Sequence, residues 1–170
     1  IHSAEHTVDP KEERMRECKF LNAARDYGYG NLFKKELDSI PGVNVNAVDA
    51  NGSNALHLGL TRLESRDESF FNLLFSLKIS TTHQDSISGN TPFHTFLENL
   101  NTLYSYGNGY YAGKFVRTDL MKSLLKKLLA ITPKLVFSTP NYLGKIPFDY
   151  LNNQHVNLFY PELKKLVAPN

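Results

Sequence analysis

Only one cysteine, Cys18, stands in the 170 residues, so no disulfide can form within the chain. Reducing surroundings, intracellular and cytoplasmic, are therefore expected. No run of about 18 apolar residues occurs, which argues against a transmembrane helix. Charge of one sign is also lacking: 19 Lys and Arg face 17 Asp and Glu, a net charge of +2. That balance gives neither the footprint of a nucleic-acid binder nor the self-repulsion of a disordered chain. There is no basic-then-apolar leader, and the first residue is Ile1 rather than Met, so an unsecreted piece of a longer protein is expected. What is present, with 41% hydrophobic residues, fits one globular domain of ordinary size.

Three segments share one grammar: Asp49-Ala-Asn-Gly52-Ser-Asn54-Ala-Leu56-His57-Leu, Ser86-Ile-Ser-Gly89-Asn-Thr91-Pro92-Phe93-His94-Thr, and Asn141-Tyr-Leu-Gly144-Lys-Ile146-Pro147-Phe148-Asp149-Tyr. Their glycines lie 37 and then 55 residues apart. Each glycine sits in a polar turn, where it supplies the positive φ that β-branched residues avoid. Thr91 then Pro92 reads as the N-cap and first residue of a helix, and Asn54 with Ala55 makes the same junction. Ile146 at the corresponding place predicts a weaker helix start.

A short apolar segment, a turn and a longer amphipathic helix follow each junction. The spacing predicts a helix over 118–131, with Thr118 as N-cap and Pro133 beyond its end. Leu120, Met121, Leu124, Leu125, Leu128 and Leu129 fall on one face of it, opposite Lys122, Lys126 and Lys127. Phe70, Phe71, Leu74 and Leu77 form a similar stripe one unit earlier, and Leu32, Phe33 and Leu37 another before that.

This pattern resembles the ankyrin repeat, whose turn and two helices carry a Thr-Pro-Leu-His-x-Ala signature at about 33 residues per copy. Thr91-Pro92-Phe93-His94 is close to it, Asn54-Ala55-Leu56-His57 differs at two positions, and Ile146-Pro147-Phe148-Asp149 has Asp in place of His. Residues 20–28 with Val43-Asn-Val45-Asn46-Ala-Val-Asp49 look like a degenerate first copy. The resemblance spans residues 19–168 and implies an all-α, ankyrin-like solenoid of about four repeats: 19–48, 49–85, 86–140 and 141–168. Gly59 with Leu60, and Phe96 with Leu97, replace the family's usual Ala pair, so irregular curvature is expected. Before the repeats, Asp9-Pro10-Lys-Glu12 reads as a capping box that opens a helix over 9–18 covering the end of the stack, behind a loose tail at 1–8.

The resemblance gives His57 and His94 a structural role, tying one hairpin to the next by hydrogen bonds. His2, His6, His83 and His155 form no ligand-like spacing, so neither a metal nor a cofactor is expected. Cys18 lacks an oxyanion-hole motif and an orienting partner, and it reads as a small buried apolar group on the capping helix, with no catalysis. Gly28-Tyr-Gly30 and Gly107-Asn-Gly109 lack the Gly-Lys-Ser/Thr of a phosphate loop. Asn51-Gly52-Ser53 has the form of a glycosylation sequon but falls in a repeat turn. Between Lys114 and Lys134, six Lys and Arg oppose Asp119, a local charge of +5 that reads as a solvated helix face.

Residues 99–115 account for much of the longer second spacing. Their Tyr104, Tyr106, Tyr110 and Tyr111, interleaved with Gly, Ser and Asn, suit either a binding loop or packing on the next unit. Ankyrin-like proteins bind other proteins through hairpin tips and inner helices. That implies contacts from Arg25 and Asp26, then Ala50, Asn51, Ser53, Thr61 and Arg62. Ile87, Ser88, Asn90, Glu98 and Asn99 follow, and last Tyr142, Leu143, Lys145, Asn153 and Gln154. Tyr142 and Leu143 are candidate anchors. The expectation is a monomeric protein–protein interaction module with no nucleic-acid or membrane partner. The alternative is the targeting region of a larger protein, such as a bacterial effector acting in a host cell, which its asparagine-rich, inserted repeats resemble.

Overall fold

The computed structural model describes residues 9–105 and 117–151, and their secondary structure is helical. Among the described residues there is no strand, only an isolated antiparallel bridge between Val48 and Asn54. The helices are α1 (Pro10–Asp26), α2 (Gly30–Asp38), α3 (Ala55–Gly59), α4 (Glu68–Ser76), α5 (Pro92–Ser105) and α6 (Thr118–Ile131). Short 3-10 turns lie at Leu63–Ser65, Lys134–Ser138 and Pro147–Tyr150.

α1 opens as its sequence dictates. The Asp9 carboxylate accepts the Lys11 N–H at 3.0 Å, and Pro10 takes the first helical position, where no N–H is needed. Nothing between Lys11 and Asp26 breaks the helix. The separate capping helix expected over 9–18 is therefore the first half of one helix, whose second half buries Phe20, Leu21, Ala23 and Ala24. The expected burial of Cys18 is also corrected: its side chain is exposed.

Packing is sequential. α3 lies between α1 and α5, and α5 packs on the Pro147–Tyr150 turn. Alongside, α2 packs on α4, and each also packs on the helix before it in the chain, α2 on α1 and α4 on α3. Aromatic rings fill the junctions: Phe33 and Phe70 are 4.8 Å apart between centroids, and Phe93 meets Phe137 and Phe148 at 5.4 and 5.6 Å. Each such side chain fully buried contributes on the order of 1.5–3 kcal/mol. α6 buries Leu120, Met121, Leu124, Leu125 and Leu128, and Lys127 reaches Asn72 on α4. Two local expectations do not hold. α6 has no side-chain cap, because Thr118 is its first residue rather than the residue before it. Leu32 is exposed, one position off the face that carries Phe33.

Two polar groups join the units from inside. Asp67 caps α4 by accepting the Phe70 N–H at 2.8 Å, and the same oxygen accepts the Gly30 N–H of α2 at 3.0 Å. Arg66 is 1% exposed and has its guanidinium 4.4 Å from the Phe70 ring centroid. It donates to the carbonyls of Tyr27 at 2.6 Å, Arg25 at 2.7 Å and Leu58 at 3.3 Å. Those carbonyls end α1 and α3, where peptide dipoles favour a cation. Burial lowers the Arg66 pKa to about 10, which leaves it charged at neutral pH.

Candidate functional site

The three turns are built alike, and the reason lies in the residue that opens each one. Asp49 Oδ1 accepts the N–H groups of Asn51 and Ser53, both at 2.9 Å. Asn141 Oδ1 accepts those of Leu143 and Lys145, both at 3.0 Å. Asp85 opens a turn one residue longer and takes the N–H groups of Ile87 at 3.0 Å and Ser88 at 2.6 Å, together with the Ser88 hydroxyl. Short polar side chains that satisfy their own following backbone hold a turn in one shape. Burial pushes the Asp85 carboxyl up, but the bonds from Ser88 and Ile87 together with the nearby His57 hold the pKa below the usual carboxylate value.

Successive turns are also bonded to each other. The Ser86 N–H donates to the Asn51 carbonyl and the Tyr142 N–H to the Ser88 carbonyl, both at 2.9 Å. Gly89 has φ +70, and a Cβ on it would come within 2.5 Å of the Tyr142 ring. The ring thus lies directly on the preceding turn, a close approach that only glycine permits.

His57 and His94 brace this row from behind. Each ring accepts its own N-cap N–H at Nδ1, from Asn54 at 3.2 Å and Thr91 at 3.1 Å. Each Nε2–H then donates to the following turn, to the Asn90 carbonyl at 2.7 Å and the Lys145 carbonyl at 2.8 Å. Burial lowers both pKa values, with the carbonyl bonds acting in the opposite sense, so the neutral ring is favoured. With both nitrogens occupied, neither ring can act as a base or a metal ligand. In the third copy, Asp149 accepts the Ile146 N–H at 2.9 Å, which keeps the local cap but has no donor to reach a further turn. Among the described residues no group of three His, Cys, Asp or Glu could hold a metal ion.

The residues singled out from sequence fall into two rows. Ala50, Asn51, Ile87, Tyr142, Leu143 and Lys145 are exposed on the turns, with Ser53 and Ser88 half-buried beside them. Arg25 and Asp26 are exposed at the end of α1, Thr61 and Arg62 just beyond α3, and Glu98 midway along α5, with Asn99 half-buried beside it. Asn90 is the exception. It is 5% exposed, its carbonyl is held by His57, and its side chain joins Glu98 to Asn141, so it braces the turns rather than meeting solvent. Residues 99–105 of the expected insertion continue α5, which places Tyr104 in that helix. Tyr106, Tyr110, Tyr111, Asn153 and Gln154 lie outside the described residues.

The largest exposed apolar groups of the turns are Ile87 (71%), Tyr142 (65%) and Leu143 (75%), on two adjacent and bonded turns. A cavity of about 460 Å³ opens beside the first turn, lined by Arg14, Cys18, Leu21, Arg25 and Val48 among others. Of the opening residues, Asp49 and Asn141 stand in the shared sequence pattern without an assigned role, and Asp85 and the buried Arg66 were not singled out from sequence. The first three carried a signal, an Asp or Asn three or four residues before each turn glycine. Arg66 carried none, since a lone Arg between helices reads as surface. Comparison with protein-family models and with curated proteins finds no match to this chain.

Proposed function

We propose that the chain is an ankyrin-like solenoid and that it works as a protein–protein interaction module, without catalysis, through its row of turns. One observation carries this reading: Ile87, Tyr142 and Leu143 stand out on turns whose backbone is fixed by Asp85, Asn141 and the inter-turn bonds. Exposed apolar and aromatic groups on a rigid frame are what a partner's side chains pack against, since little order is left to impose on binding. The inward-facing histidines and the turn, helix, helix order of α3 with α4 support the solenoid part of the reading.

A hydrogen-exchange footprint tests it. A partner captured from cell lysate, purified and added back should slow exchange over residues 85–90 and 141–145. Slowing confined to the α2 and α4 surface, with the turns unchanged, would remove the turn row from consideration.

A further inference from the structure

Resting on that reading of the turns, we propose that the partner's docking segment is acidic and apolar. Aliphatic or aromatic side chains would cover Ile87, Tyr142 and Leu143, and an adjoining carboxylate would pair with Lys145.

The turns keep their own negative charge turned inward. Asp85 is buried, and its two oxygens receive the Ile87, Ser88 and Gly89 N–H groups and the Ser88 hydroxyl. The residue in the same role one turn later is Asn141, which is neutral and equally occupied. Gln84, at the base, donates its amide to the Gly89 and Pro140 carbonyls. The outward side of these two turns therefore presents apolar surface with no carboxylate, although one of them is built on an aspartate.

Lys145 supplies the charge at the edge of that surface. Its side chain is exposed, with the ammonium 5.4 Å from the Tyr150 ring centroid. The ion pairs among the described residues are Lys19–Glu36, Arg25–Asp26 and Lys34–Asp38, and none involves it. Two exposed carboxylates lie off the turns and are engaged there: Asp149 accepts the Ile146 N–H at 2.9 Å, and Glu98 on α5 accepts the Asn90 amide at 3.3 Å. A basic segment would bring a cation toward Lys145 with no outward carboxylate on these turns to receive it. An acidic one meets a complementary charge beside an apolar patch, and like-charge rejection of wrong partners is what sets specificity at such edges.

The test is a selection of random peptides on the immobilised full chain, followed by binding of the selected peptides, made synthetically, to variants. Leu143→Ser changes an exposed side chain and should melt with the wild type, and Lys145→Glu, which gives up the contact with the Tyr150 ring, should melt within about 4 °C of it. The expected result is enrichment of Asp or Glu next to aliphatic or aromatic residues, and a loss of about ten-fold or more on Leu143→Ser. Lys145→Glu should turn the selection toward Lys and Arg, and binding to the wild type should weaken as salt rises. Peptides lost on Leu143→Ser but without acidic enrichment and indifferent to Lys145→Glu would overturn the charge assignment and leave the turns as the contact surface. Peptides indifferent to both substitutions, or a selection that yields no binder, would overturn both.

Discussion

Replacing His57 by Leu removes the brace between the first two complete turns, and the structure says by how much. Two bonds go: the donation from Nε2 to the Asn90 carbonyl at 2.7 Å, and the acceptance at Nδ1 of the Asn54 N–H at 3.2 Å. The Asn90 carbonyl is not orphaned, because it also accepts the Asp85 N–H at 2.9 Å. The Asn54 N–H is orphaned, in a residue 1% exposed. A lost bond is worth about 1 kcal/mol and an unsatisfied buried donor about 1–3 kcal/mol. Against these, Leu buries more apolar surface, a gain on the order of 1 kcal/mol. The net loss is about 2 kcal/mol, or about 4–8 °C in melting temperature for a chain of this size. Urea titration followed by circular dichroism at pH 7.5 measures it. A loss below about 0.5 kcal/mol would mean that the histidine is packing only and braces nothing.

Three further outcomes follow from particular contacts. Because burial lowers the pKa of His57 and His94, the unfolded chain takes up these protons first. Stability should therefore be full above the ordinary histidine value of 6.5 and fall as pH drops through the depressed folded values. Melting scans from pH 7.5 to 5 check this, and His57→Leu should flatten the slope. Arg66→Met forfeits charge-assisted bonds to the Arg25, Tyr27 and Leu58 carbonyls but spares a buried guanidinium its desolvation, leaving a net loss of about 2 kcal/mol by denaturant titration. Arg66→Lys should do no better, since one ammonium cannot span both helix ends. Lys78 holds φ 57 just after α4, a place where glycine is unstrained, so Lys78→Gly should raise stability by about 0.5–1 kcal/mol.

Much of the backbone plan was legible because its signals are local. Gly52, Gly89 and Gly144 all adopt positive φ in turns, and Asn54 and Thr91 cap helices as their residue types imply. The 3.6-residue stripe of α6 is buried as read, apart from Leu129, which is half-buried. What escaped was long-range. α1 runs through the expected boundary near residue 18 because continuity needs only the absence of a breaker, and absence is a weak signal. Arg66 finds carbonyls from 8 to 41 residues away, which no local pattern announces. Asn90 was legible as a turn residue but not as a buried one, because its burial depends on Asn141 and His57 arriving from other units.

The central claim is that the turn row makes the contact, and affinity measurements on three proteins test it most directly. A purified partner is titrated into the wild type, into the double variant Ile87→Ala, Leu143→Ala, and into a variant whose residues 104–111 are a short Gly-Ser linker. All three must first show the same circular dichroism and melting temperature. The account predicts that the double variant binds at least about ten-fold more weakly while the linker variant binds as the wild type does. Unchanged affinity in the double variant, with loss only in the linker variant, would contradict it and move the contact to the tyrosine-rich segment.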